Sequence, residues 1–192
     1  MANKKTLALS KEQYTNIITT MRNGFTFEGK EIQPNNRIAT ILVLEANLGL
    51  RIGDILSLTL NSIIKDGERY RLDIKEDKTD KFRTFTVPEI IYDYIKKYCN
   101  DNKIKETCPM FQISERAVQK QLKLVCDFLG YKGISTHSFR KMYATNIYVD
   151  NNYNIELVRQ LLQHSVSRTT QKYIGIGTKE LETAIQKNVC LL

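Results

Sequence analysis

Two histidines, a few scattered arginines and one tyrosine carry most of the chemistry open to this chain. His137-Ser138-Phe139-Arg140 sets an imidazole and a guanidinium three residues apart, on one face of a helix beginning after Ser135-Thr136. The first backbone N–H groups of such a helix would add to an anion site. His164 closes an apolar stretch of Val158, Leu161 and Leu162. It is followed by Ser165-Val166-Ser167-Arg168-Thr169-Thr170-Gln171-Lys172-Tyr173, where two cations and four hydroxyls precede a tyrosine. That run suits phosphate oxygens better than a core. Arg51 follows Gly49, with Asp54 three residues on and within reach to orient it. Lys78 lies in Glu76-Asp77-Lys78-Thr79-Asp80-Lys81, between two segments that read as strands. Each piece also has a plain reading: a solvated His–Arg face, a capped loop, a structural Arg–Asp pair, a solvated hairpin tip.

The elements that would hold these residues are mostly helical. Ser10-Lys11-Glu12-Gln13 is a capping box for a helix to about Arg22, and residues 23–35, with two Gly, one Pro and two Asn, read as a loop. Ile38 to Leu48 is apolar nearly all round, broken only by Thr40, Glu45 and Asn47, as in a buried central helix ended by Gly49. Residues 62–87 change period: Ile63-Ile64, an Asp66-Gly67 turn, Tyr70-Leu72-Ile74, then Phe82 to Val87 predict a small antiparallel sheet. Pro88 opens a helix to about Tyr98, and Ser114 caps another with the stripe Val118, Leu122, Val125, Leu129. Further helices are expected over about 137–149, 154–163 and 178–189. The fold class is mostly α with a small antiparallel β-sheet, in one domain over 10–192 after a short lead of residues 1–9.

Composition narrows the partner. With 192 residues and 42% hydrophobic content the chain can bury a core, and it carries a net charge of +8. The excess is uneven. Residues 1–96 hold fifteen basic and thirteen acidic groups, residues 97–192 fourteen and eight. A basic half points to a polyanion. Leu7-Ala8-Leu9 is too short for a signal-peptide core, and no stretch approaches the roughly 18 apolar residues of a membrane span, so the expected location is cytoplasmic. Cys99, Cys108, Cys126 and Cys190 form no C-x-x-C pair, and with two histidines they support no metal site; reduced thiols are expected.

The order of the motifs is more specific than any one of them. Arg51 in Leu48-Gly49-Leu50-Arg51-Ile52-Gly53-Asp54, Lys78 at a hairpin Lys-Thr, His137-x-x-Arg140, then His164-x8-Tyr173 resembles the tyrosine recombinase (phage integrase) family, over about residues 10–185. Two positions depart from the family pattern: Gln163 where Gly usually precedes the second His, and Asp80 where Gly often follows Lys-Thr. Neither removes a reacting group. A separate N-terminal core-binding domain has no counterpart before Ser10, as in an excised catalytic domain or the short fimbrial invertases.

The resemblance implies a reaction. Tyr173 would attack a phosphodiester, forming a 3′-phosphotyrosyl link and expelling a 5′-hydroxyl. Arg51 and Arg140 would clamp the non-bridging oxygens, His164 would donate a further hydrogen bond, Lys78 would protonate the leaving oxygen, and His137 would accept or orient a proton. No cofactor or metal is implied. The partner would be double-stranded DNA, bound by a homotetramer assembled through the C-terminal helix; without DNA the protein would be monomeric or weakly associated. Arg116, Lys120 and Lys123, with Arg168, Thr169 and Thr170, are the DNA-binding candidates. A type IB topoisomerase and a silent DNA-binding regulator of the same fold are the alternatives.

Overall fold

Ser10 starts the first helix through a reciprocal pair of bonds. Its hydroxyl accepts from Gln13 N at 3.1 Å, and the Gln13 side-chain oxygen accepts from Ser10 N at 3.0 Å. Helix α1 (Lys11–Asn23) follows. The structure, a computed structural model, describes residues 8–75, 82–164 and 166–174. The chain groups into two compact units, Met1–Tyr143 and Ala144–Leu192, whose boundary falls within helix α6 (Thr136–Asp150).

In the first unit, residues 23–35 are not the plain loop their composition predicts. They hold a hairpin, β1 (Phe25–Phe27) and β2 (Lys30–Ile32), turned at Glu28 and Gly29 with φ of 49° and 73°. Two positive φ values in a row match the right-handed twist of the flanking strands. Strands this short need outside support, and the Phe25 and Phe27 rings lie 4.6 and 6.0 Å from Phe128.

Helix α2 (Asn36–Leu48) is the buried central helix that its composition predicts. Asn35 Oδ1 accepts from Ile38 N at 3.0 Å, and Ile41, Leu42, Leu44 and Leu48 are fully buried. Gly49 ends it in the left-handed region, φ 59°. The short helix α3 (Ile52–Ser57) comes next and is too brief to leave a periodic signal. Strands β3 (Ile63–Asp66), β4 (Arg69–Lys75) and β5 (Phe82–Val87) pair antiparallel in sequence order. Ile63 faces Leu72 and Leu72 faces Phe85 across that sheet. The tip joining β4 to β5, Lys78 included, lies outside the described residues.

Pro88 precedes α4 (Glu89–Asp101), and Ser114 caps α5 (Glu115–Phe128). Val118, Leu122 and Val125 are buried as their spacing predicts. Beside them Cys126 is buried, which pushes its thiol up to about 11. The core gathers α1, α2, α3, the sheet, α4, α5 and Phe139 at the start of α6.

The second unit contains the end of α6, then α7 (Ile155–Leu162) and α8 (Ser167–Ile174). Asn154 Oδ1 caps α7 by accepting from Leu157 N at 3.0 Å, and Val158 and Leu162 are buried. The polar run after His164 is therefore helical from Ser167 onward. The helix expected over 178–189 lies outside the described residues. Among the described residues, no helix is long and apolar enough to cross a membrane.

Candidate active site

The first unit builds around one carbonyl. Arg140, fully charged at any ordinary pH, is 1% exposed, and a charge so placed needs polar partners. Its Nη1 donates to the Gly49 carbonyl at 2.7 Å, reaching across 91 residues of chain. Gly49 is two residues before Arg51, which stands at the N-cap position of α3 and is half-buried; Asp54, in the first turn of α3, is buried. Gly49 suits its place twice over. Its φ is left-handed, and a Cβ there would stand 2.3 Å from Cδ1 of the Tyr143 ring.

One turn before Gly49, Glu45 is also fully buried. Its backbone carbonyl accepts from Gly49 N at 3.1 Å. Burial holds the Glu45 carboxyl well above the usual carboxylate range; Arg140 pulls against that shift and Glu115 adds to it.

His137 parts company with Arg140. Three residues on a helix are separated by about 60° around its axis, enough to turn Arg140 inward and leave His137 exposed. His137 lines a cleft of about 630 Å³ with Glu115, Gln119, Lys123, Cys126 and Lys132. On α5, Arg116, Lys120 and Lys123 are all exposed, and Lys123 forms an ion pair with Asp127 one turn on.

The second unit builds around His164. Gln163 ends α7 in the left-handed region, φ 54°, so the departure from glycine noted in the sequence falls on a residue in that conformation. The His164 carbonyl then accepts from Arg159 Nη1 at 2.9 Å. Helix α8 brings two of its residues, three apart, onto the imidazole. Thr170 Oγ1 is 2.9 Å from His164 Nδ1, and the Tyr173 ring meets the His164 ring edge-on, centroids 5.3 Å apart at 80°.

Thr170, expected among DNA contacts, is fully buried, whereas Arg168 and Thr169 are exposed. Tyr148 packs edge-on against Tyr153, and Tyr143 packs on Gly49, so both have a structural place. The sequence reading missed Glu45 altogether and gave Thr170 a place at DNA, not on His164. Glu45 looked like a break in an apolar helix, and Thr170 like one hydroxyl among four.

The arrangement is a pair of prepared groups: two arginines flanking a helix end, and a histidine set between a hydroxyl and a phenol. Comparison with known proteins gives it a family. The tyrosine recombinase XerA of Pyrococcus furiosus is 26% identical over 167 residues, covering 82% of this chain and 57% of that protein. The chain spans about half the length of the curated relatives it matches.

Among solved structures, XerH site-specific recombinase bound to palindromic difH substrate matches with a TM-score of 0.70 at 18% identity, over 95% of this chain and 53% of that one. The Tn1549 transposon integrase in complex with a circular intermediate DNA matches with a TM-score of 0.70 at 14% identity, over 98% of this chain and 67% of that one. At such identities these likenesses establish the fold. The model of the phage integrase family matches residues 8–179, and the chain belongs to that family.

Proposed function

We propose that this chain is the catalytic part of a site-specific DNA recombinase that cuts and rejoins strands through a 3′-phosphotyrosyl intermediate. The observation that carries the reading is Arg140: a fully buried guanidinium, fixed by the carbonyl two residues before Arg51. An arginine placed so is held in one orientation, and two guanidiniums suit the extra negative charge of a five-coordinate phosphorus.

In this reading the Tyr173 oxygen attacks the phosphorus as the bond to the 5′-oxygen breaks, and Lys78 protonates the leaving oxygen. Arg51 and Arg140 hold the non-bridging oxygens, with Asp54 supporting Arg51. With the Thr170 hydroxyl donating to Nδ1, the His164 proton sits on Nε2, the tautomer able to donate to the phosphate. His137, exposed on its cleft, accepts or relays a proton. The link to Tyr173 conserves the bond energy, so rejoining uses no cofactor and no metal. Double-stranded DNA is the partner, met by the exposed Arg116, Lys120, Lys123, Arg168 and Thr169. A homotetramer forms on DNA through the C-terminal helix, in the cytoplasm at the nucleoid.

The test is a nicked suicide substrate, with the covalent adduct read on a denaturing gel. Wild type should form the adduct equally with and without EDTA. Tyr173→Phe should form none while still binding DNA, because only the attacking oxygen is lost. Undiminished adduct in that variant, or strict Mg²⁺ dependence, would refute the reading.

A further inference from the structure

We propose that Arg159, braced by Glu156, is a positioning residue for His164: it fixes the backbone frame from which the imidazole reaches the phosphate. The proposal rests on the reading above, in which His164 donates to the scissile phosphate.

Side-chain hydrogen bonds carry it. Each nitrogen of the Arg159 guanidinium is engaged: Nη1 donates to the His164 carbonyl at 2.9 Å, Nε donates to Glu156 Oε2 at 2.8 Å, and Nη2 donates to Glu156 Oε1. The planar fork thus grips a carboxylate on two prongs and a carbonyl on the third. The Arg159 backbone takes the other side of the same residue, since its carbonyl accepts from His164 N at 3.0 Å. That second bond is what a helix closed by a left-handed residue supplies anyway. The bond to the His164 carbonyl is not. It lies beyond the end of α7, and a side chain reaching forward over five residues provides it. The turn it secures runs through Gln163 at φ 54°, where any side chain costs more than glycine would.

The imidazole is fixed separately, from α8, by Thr170 Oγ1 at Nδ1 and by the edge-on Tyr173 ring. Helix α7 therefore sets the backbone of His164 and α8 its ring, and the direction of Nε2 follows from the two together. The brace stays charged throughout the working range, because Arg159, with Gln160 and Ser167, holds the Glu156 carboxyl down to about 2. Its side chains are 28% and 49% exposed, and an ion pair so placed adds little to stability. Its loss should show in cleavage rather than in unfolding.

The experiment measures single-turnover adduct formation on a suicide duplex, with DNA affinity at two salt concentrations and urea unfolding alongside. Arg159→Met keeps an unbranched stem and removes all three donors. It should cleave at least about tenfold more slowly, with affinity within about twofold of wild type and unfolding little changed. Arg159→Lys keeps the charge but cannot hold Glu156 and the carbonyl together, so it should be nearly as slow. Glu156→Gln keeps the shape of the brace without its charge and should fall between. The decisive background is His164→Ala, which keeps the carbonyl and removes the ring: there Arg159→Met should slow cleavage by less than about twofold more, since it acts only through the imidazole.

The proposal is overturned by Arg159→Met or Arg159→Lys cleaving as wild type, or by a loss that appears equally in unfolding. A salt slope lowered by about 0.9 would overturn it too, making Arg159 a phosphate contact. So would a further tenfold loss in the His164→Ala background. Should Arg159→Met fail to fold, Arg159→Lys and Glu156→Gln carry the same comparisons. Should His164→Ala give no adduct, the imidazole nitrogen NMR shifts of His164 decide: they should move in Arg159→Met, and unchanged shifts overturn the proposal. Near-normal cleavage by His164→Ala alone would sink the underlying reading of His164 as a phosphate donor, and the proposal with it.

Discussion

Gly49→Ala is the most informative single change in the first unit, because its cost divides into two parts that can be measured separately. The left-handed φ of 59° penalises any Cβ by roughly 1–2 kcal/mol. The methyl would also stand 2.3 and 2.4 Å from two carbons of the Tyr143 ring, an overlap that the ring or the helix end has to relieve, at about 1–3 kcal/mol. The single variant should therefore lose about 2–5 kcal/mol in urea unfolding. In a Tyr143→Ala background the second part disappears, and Gly49→Ala should cost only the first. The double-mutant cycle should return a coupling of about 1–3 kcal/mol. Relief of the overlap also moves the carbonyl that Arg140 holds, so Gly49→Ala should lower adduct formation under conditions where it stays folded. A cost below about 0.5 kcal/mol, or one unchanged by Tyr143→Ala, would show that the packing of Tyr143 on Gly49 has been misread.

Two further outcomes follow from the site and the surface. Thr170→Val keeps the shape of the side chain and removes its hydroxyl from His164 Nδ1; adduct formation should drop about tenfold with DNA affinity unchanged, Thr170→Ser should restore most of it, and a fully active valine variant would leave the tautomer argument without support. Replacing exposed Arg116 and Lys120 by Gln should flatten the slope of log K against log salt by nearly two, about 0.9 for each phosphate that is no longer neutralised; an unchanged slope in anisotropy titrations would take α5 off the DNA.

Long periodic elements were legible in the sequence. Helices α1, α2 and α5 and the three-stranded sheet lie where capping residues and apolar spacing placed them, because tertiary packing there reinforces local preference. Three elements were not. The β1–β2 hairpin has three-residue strands and depends on Phe128, a residue about a hundred positions away. Helix α3 is too short to show a period. Helix α8 is a polar sequence whose buried residue is a threonine, so hydrophobic spacing has little to detect. For the site, residue types and order were readable; orientation was not. Nothing in His137-x-x-Arg140 says that the arginine turns inward and the histidine outward, since packing around α6 decides it. Glu45 illustrates the same limit: it reads as a break in an apolar run, and packing around α2 decides that it is fully buried.

The bond from Arg140 to Gly49 spans 91 residues, which bears on the time course of folding. Closing so long a loop loses chain entropy before any interaction repays it, so a pairing of this separation forms after the local helices and hairpins. The guanidinium reaches its carbonyl only when the α2 terminus and the first two turns of α6 are both in place. A chain emerging from synthesis thus holds Arg51 long before Arg140 is fixed, and under the proposed function its strand-cutting capacity would arrive as one of the last events of folding. Weakening that bond should then speed unfolding far more than it slows folding.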